Sequence, residues 1–131
     1  MKGIDTNILV RYLVQDDPIQ GELAAAYISE IKTSGESCFI NNIVLCELVW
    51  VLKSAYKLSR SQIISNLELI LQVDIFEFED KSAAWWAVEQ MKQGKADFSD
   101  YLIGKINQQA GCRETASFDA KLNNAEGFTL L

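Results

Sequence analysis

The sequence predicts an α/β fold, a three-layer sandwich around a parallel sheet. Three observations lead there. Short apolar or alternating runs recur between longer helix-periodic segments from one end of the chain to the other, the pattern of crossover-linked parallel strands. Most of the helical segments open on a residue suited to cap them. The 131 residues are 49% apolar, with one proline and no Gly/Ser/Pro linker, repeat or low-complexity tract. That length and composition predict a single domain over 1–131.

The elements follow in order. KGI, 2–4, reads as a short buried strand, and Asp5 ends it. A helix starts at TNILVRYLV, with Thr6 or Asn7 as its cap. Asp17-Pro18 opens a second helix, aspartate at the N-cap and proline in the first turn, running to about Gly35. SCFIN, 37–41, is strand-like, and Asn42 is placed to cap a helix from 43 to about 57. Ser59 and Gln62 fit a capping box before IISNLELIL. DIFEFE, 74–79, alternates as a strand. Asp80 precedes the helix KSAAWWAVEQMKQ, for which Gly94 is a fitting C-terminal glycine. KADFSD starts a helix to about Ala110, stopped by Gly111. ETASFD and GFTLL supply the fourth and fifth strands.

Composition narrows the chemistry. There is no histidine, so histidine-based nucleophile activation and histidine–metal sites are excluded. The three cysteines, Cys38, Cys46 and Cys112, form no C-x-x-C pair and are expected to be reduced thiols. MKGI before Asp5 leaves no room for the apolar region of a signal peptide, and no apolar stretch is long enough to span a bilayer. The expectation is a cytoplasmic protein. A net charge of −6 excludes nucleic-acid binding through a broad basic surface.

Carboxylates remain as the candidate chemistry, and each has a plain structural explanation beside the functional one. Asp5 and Asp119 each lie at the carboxyl end of an expected strand, where ligands collect in such folds. A turn or cap role explains either equally. Glu47 is the one charge within IVLCELVWVL. Burying it is costly unless it is paired or metal-bound, while an exposed strip of the helix would accommodate it without function. Asp97 and Asp100 form a D-x-x-D before an apolar run, as in a capping box. Phe98, Leu102, Ile103, Ile106 and Ala110 define that helix's expected apolar stripe. Asp100 falls roughly 60° from Ile103, at the border of the stripe, and Asp97 roughly 120°, further toward solvent, so Asp97 is the expected cap and Asp100 the expected site-facing residue. Gly104, one turn beyond Asp100, suggests clearance for a substrate, since glycine costs a helix about 1 kcal/mol. Taken together, converging carboxylates would repel strongly. Mg²⁺ or Mn²⁺ with oxygen ligands would relieve that repulsion and supply metal-assisted phosphodiester hydrolysis.

Four segments carry a resemblance. DTN at 5–7 after the first strand, LCEL at 45–48, DFSDYLI at 97–103 and SFD at 117–119 resemble the four motifs of the PIN domain family. The likeness spans nearly the whole chain, and its length resembles that of VapC-type toxins. The resemblance implies a sheet order of 3-2-1-4-5 and a Mg²⁺- or Mn²⁺-dependent endoribonuclease. It places the acidic residues on Asp5, Glu47, Asp100 and Asp119, with Asp97 as the additional aspartate of some members. Asn7 and Ser117 match polar positions that support the metal site, and Arg11, one turn beyond Asn7, is a candidate RNA-backbone contact or a surface ion pair. It also implies a small antitoxin as partner, and helices 43–57 and 59–72 with Trp85 and Trp86 are candidate surface for it and for a homodimer. Other metal-dependent phosphohydrolases, a DNA nuclease among them, and a non-catalytic acidic docking domain are the alternatives. A phosphatase using Asp5 as nucleophile would want a second aspartate where Asn7 stands, and a receiver domain an acidic pair that DTN does not supply.

Overall fold

A computed structural model describes residues 1–131. The chain forms two compact units, 1–81 and 82–131. The α/β class, the parallel pairing and the five strands are borne out, and the hydrogen-bonded strands form one sheet of three and one of two.

In the first unit, β1 (Lys2–Gly3), β2 (Cys38–Ile40) and β3 (Phe76–Phe78) pair in parallel, with β2 in the middle. This is the 3-2-1 part of the expected order. The connections are helical, as parallel neighbours require: α1 (Thr6–Leu13) and α2 (Pro18–Thr33), then α3 (Asn42–Ser54) and α4 (Arg60–Leu71). β1 is shorter than expected and both of its residues are exposed, whereas Ile4 directly after it is buried. Cys38 and Ile40 of β2 are fully buried, with Leu9, Leu45, Leu48, Leu52, Leu67 and Leu71 supplying much of the core. All three cysteines are unpaired, and burial pushes the Cys38 and Cys46 thiols up, away from the reactive thiolate.

Caps fix where these helices start. Asp17 accepts from the backbone N–H groups of Ile19 and Gln20 and Pro18 occupies the first turn of α2. Ser59 and Gln62 close the expected capping box on α4. Two expected caps move by a residue: Asp5, not Thr6 or Asn7, caps α1, and Asn41, not Asn42, caps α3 through the N–H of Val44. In both cases the residue still in extended backbone is the one whose side chain reaches forward to the third helical N–H.

The second unit holds α5 (Lys81–Gln93, its first residue at the boundary), α6 (Phe98–Gln109), β4 (Thr115–Ser117), a 3-10 turn (Ala120–Leu122) and β5 (Phe128–Leu130). β4 and β5 pair in parallel over three residues, which is the 4-5 neighbourhood of the expected order. With two- and three-residue strands, each ladder offers few hydrogen bonds, so packing of the helices carries the core. Gly111 at φ 102° ends the α6 region as expected. The stripe of α6 is corrected: Phe98, Tyr101 and Leu102 are buried, while Ile103 and Ile106 are exposed. Trp85 and Trp86 are both half-buried. Trp86 meets Tyr101 edge-on at 6.4 Å, and the Lys105 ammonium lies 5.1 Å from its ring centre.

Gly104 also has a different reason from the expected one. A Cβ at this position would overlap the ring of Phe128, so bare backbone lets α6 and β5 approach. Gly104→Ala should therefore lower stability by about 1 kcal/mol, an overpacking cost of roughly 1–3 kcal/mol less the helix-propensity gain. Thermal unfolding checks it, with a fall in Tm of several degrees expected and partial recovery in Gly104→Ala/Phe128→Leu. An unchanged Tm with lost activity would return Gly104 to a substrate role.

Candidate functional site

In the first unit, the end of β1 delivers Asp5 to the start of α1. Asp5 is exposed, and one of its carboxylate oxygens accepts the N–H of Ile8 at 3.2 Å. Thr6 is buried, and its hydroxyl donates to Glu47 Oε1 on α3 at 3.2 Å. Glu47 itself stands on an exposed strip of α3 between Ile43 and Trp50, each 69% exposed. The buried charge feared from the sequence is thus avoided, and the Thr6 hydroxyl instead ties this carboxylate to the residue after Asp5. Nothing in the apolar run around Glu47 announces that bond, but a threonine on the inner side of D-T-N is its only sequence trace.

Asp5, Asn7 and Arg11 share the wall of one open cavity of about 510 Å³ with Ile8 and, from α2, Gln20, Leu23, Ala24 and Tyr27. Arg11 is held there. Its Nε donates to Gln20 Oε1 at 2.8 Å, and one terminal nitrogen donates to the Tyr56 hydroxyl at 3.0 Å and meets Asp16 at 3.4 Å. The guanidinium joins α1, the start of α2 and the chain after α3.

In the second unit, Asp97 and Asp100 flank the first turn of α6. The Asp97 N–H donates to Asp100 Oδ2 at 3.1 Å, so Asp100 does capping work, and both aspartates are half-buried. Asp119 follows β4. Its N–H donates to the Ser117 hydroxyl at 3.0 Å, and its Oδ1 accepts the N–H of Lys121 at 2.9 Å. Burial pushes the Asp100 carboxyl above the usual carboxylate range, and the charges of Asp97 and Asp119 push the same way. The Asp97 N–H and the Lys121 ammonium oppose them. Two residues here were missed from the sequence: Lys121, whose trace is the D-x-K spacing, and Phe118, 85% exposed between Ser117 and Asp119.

Neither unit gathers three Cys, Asp or Glu side chains tightly enough to enclose a metal ion by itself. The donor chemistry nevertheless fits a hard divalent cation: every titratable group brought near Asp100, apart from Lys121, is a carboxylate, and oxygen ligands with retained water suit Mg²⁺ or Mn²⁺.

The PIN domain family model matches residues 3–127, which takes in all four acidic segments. The chain belongs to the PIN domain family. It is 29% identical over 118 residues to a protein named VapC ribonuclease from Aquifex aeolicus (strain VF5), covering 90% of this chain and 87% of that one. This PIN-domain protein has no helix long and apolar enough to cross a membrane.

The raised Asp100 carboxyl has a stability consequence. It binds its proton more tightly folded than unfolded, so its ionisation costs stability as pH rises from the ordinary carboxylate value through the raised one. Asp100→Asn keeps an oxygen for the Asp97 N–H and removes that cost. In chelator, the variant should melt at or above the wild-type temperature near neutral pH, with the difference shrinking in acid. A variant that falls further below wild type as pH rises would show the ionised carboxylate to be stabilising and overturn this reading.

Proposed function

We propose that this PIN-domain chain is a Mg²⁺- or Mn²⁺-dependent endoribonuclease, the toxin of a toxin–antitoxin pair, working in the cytoplasm as one nuclease domain over 1–131. The observation that carries the reading is the crowding of Asp97 and Asp119 on Asp100, in a chain whose PIN match runs through every acidic motif. Crowded carboxylates are unfavourable alone and favourable around a cation. The VapC ribonuclease relative supports RNA as the substrate.

Asp5, Asp100 and Asp119 are assigned to hold the metal, with Asp97 as a further or outer ligand. The cation would supply Lewis-acid stabilisation of charge on the phosphodiester oxygens at neutral pH. The residues of the chain do the positioning. Glu47, oriented by the Thr6 hydroxyl, accepts a proton from or orients the attacking water. Ser117 fixes the backbone at Asp119, and Asn7 presents its amide beside Asp5 on the cavity wall. Arg11, with its Nε and one terminal nitrogen already bonded, holds the wall and presents positive charge to the RNA backbone. A small antitoxin protein and a second copy of the chain are the proposed partners. Exposed Ile19 and Leu23 on α2, and Ile43 and Trp50 on α3, offer apolar surface to them.

The test is cleavage of single-stranded RNA with Mn²⁺ by Asp5→Asn and Asp100→Asn. Loss of at least a hundredfold is expected, with wild-type products carrying 5′-phosphates. Cleavage at wild-type rates would sink the proposal. Thr6→Val should cut the rate about tenfold by releasing Glu47, a loss on the order of one hydrogen bond to a charged group. Equal rates in Thr6→Val and wild type would remove Glu47's orientation from the mechanism.

A further inference from the structure

The second unit contains a cavity that the assignments above do not use. It measures about 400 Å³ and is lined by Gln90 and Gln93 of α5 and by Lys121, Asn123, Asn124 and Glu126 of the segment leading to β5. Its remaining wall includes Gly94 and Tyr101. The Tyr101 hydroxyl approaches Gly94 so closely that any Cβ there would overlap it, and it accepts the N–H of Ala96 at 3.3 Å. Glycine at 94 therefore lets the Tyr101 hydroxyl seat against the backbone at this wall.

The lining is unusual in kind. Four side-chain amides face one cavity, each carrying a donor pair and an acceptor. A carboxylate stands with them, and one ammonium. Apolar ligands gain little there. Planar groups edged with alternating donors and acceptors gain most, and nucleobases are of that kind: Asn and Gln pair bidentately with such edges, and Glu accepts from exocyclic amino groups. The volume lies within the range of small-ligand sites and accommodates one base with its ribose.

Position along the chain ties the cavity to the acidic site. Asp119 Oδ1 accepts the N–H of Lys121 at 2.9 Å, and the 3-10 turn Ala120–Leu122 carries the chain directly from Asp119 into the cavity wall. Asn124 sits at φ 63°, a left-handed conformation that asparagine tolerates better than most residues. On the other side of Asp119, Phe118 offers an exposed ring of the kind unpaired bases stack on. The stretch 118–126 thus offers stacking surface, a phosphate-seeking ammonium and base-reading amides around Asp119.

We propose that the cavity bounded by Gln90, Gln93, Lys121, Asn123, Asn124 and Glu126 is a nucleobase-specificity subsite, receiving an unpaired base with an exocyclic amino group from the RNA strand near the cleaved phosphate. The proposal rests on the ribonuclease reading. Lys121 neutralises phosphate beside the bound nucleotide, and the amides with Glu126 select the base.

The experiment uses the full chain and a set of short RNAs that differ in one base at each position around a fixed cleavage site. Wild type should prefer A, C or G over U at one position. Asn123→Ala and Gln90→Ala should each reduce that preference about tenfold, the worth of one good base-edge contact, through KM more than kcat. Unchanged preference in both variants, with cleavage intact, would overturn the subsite. If wild type cleaves no RNA with either metal, the ribonuclease reading fails separately. Direct binding of the same oligonucleotides, measured by fluorescence anisotropy, then decides the subsite: base-dependent binding lost in the variants supports it, and base-independent or absent binding overturns it. Variants that weaken capture of a bound protein partner but leave the base profile unchanged would assign the cavity to protein docking and overturn the proposal.

Discussion

The constraint on which this structure depends is the placing of carboxylates at the starts of helices. Asp5 opens α1, Asp97 and Asp100 open α6, and Asp119 opens the 3-10 turn. Each position offers unpaired backbone N–H groups and the positive end of a helix dipole. Asp5, Asp100 and Asp119 each accept one such N–H. The same bonds that start the helices therefore hold these acids in place.

Glu47 is held differently. It lies mid-helix, where every backbone N–H is already used, so a side chain must orient it. The Thr6 hydroxyl does this from the first turn of α1. Thr6 also lies next to Asp5 in sequence, so the packing of α1 on α3 sets two acidic residues through one dipeptide. Arg11 works on the far end of the same helix. Its bonds to Gln20 and Tyr56 fix α1 against its neighbours. Asp100 shows the cost of such an arrangement: burial and two neighbouring carboxylates make its charge unfavourable in the bare protein, a pattern that clusters at functional sites.

Much of the fold and of the site was legible in the chain. Asp17-Pro18, Ser59 with Gln62, and Gly111 announced their turns because capping is local chemistry between residues two to four apart. The acidic motifs were legible for the same reason, since strand ends and helix starts are readable one segment at a time. What misled was always a longer-range contact. Ile103 and Ile106 fit a stripe by periodicity yet are exposed, because burial depends on which neighbour arrives and not on helical phase alone. Gly104 looked like space for a ligand and is space for Phe128, a residue 24 positions away by sequence number.

By itself, the sequence determined the α/β class and the run of elements and pointed to the candidate acids, because periodicity, caps and turn residues act within a few positions. Only tertiary structure decided that Glu47 is exposed and held by Thr6, that Arg11 is tied to Gln20 and Tyr56, and that amides from α5 and from 121–126 line one cavity. Those pairings join residues up to dozens of positions apart. Their geometry is set by how helices and short strands pack, which no local pattern encodes.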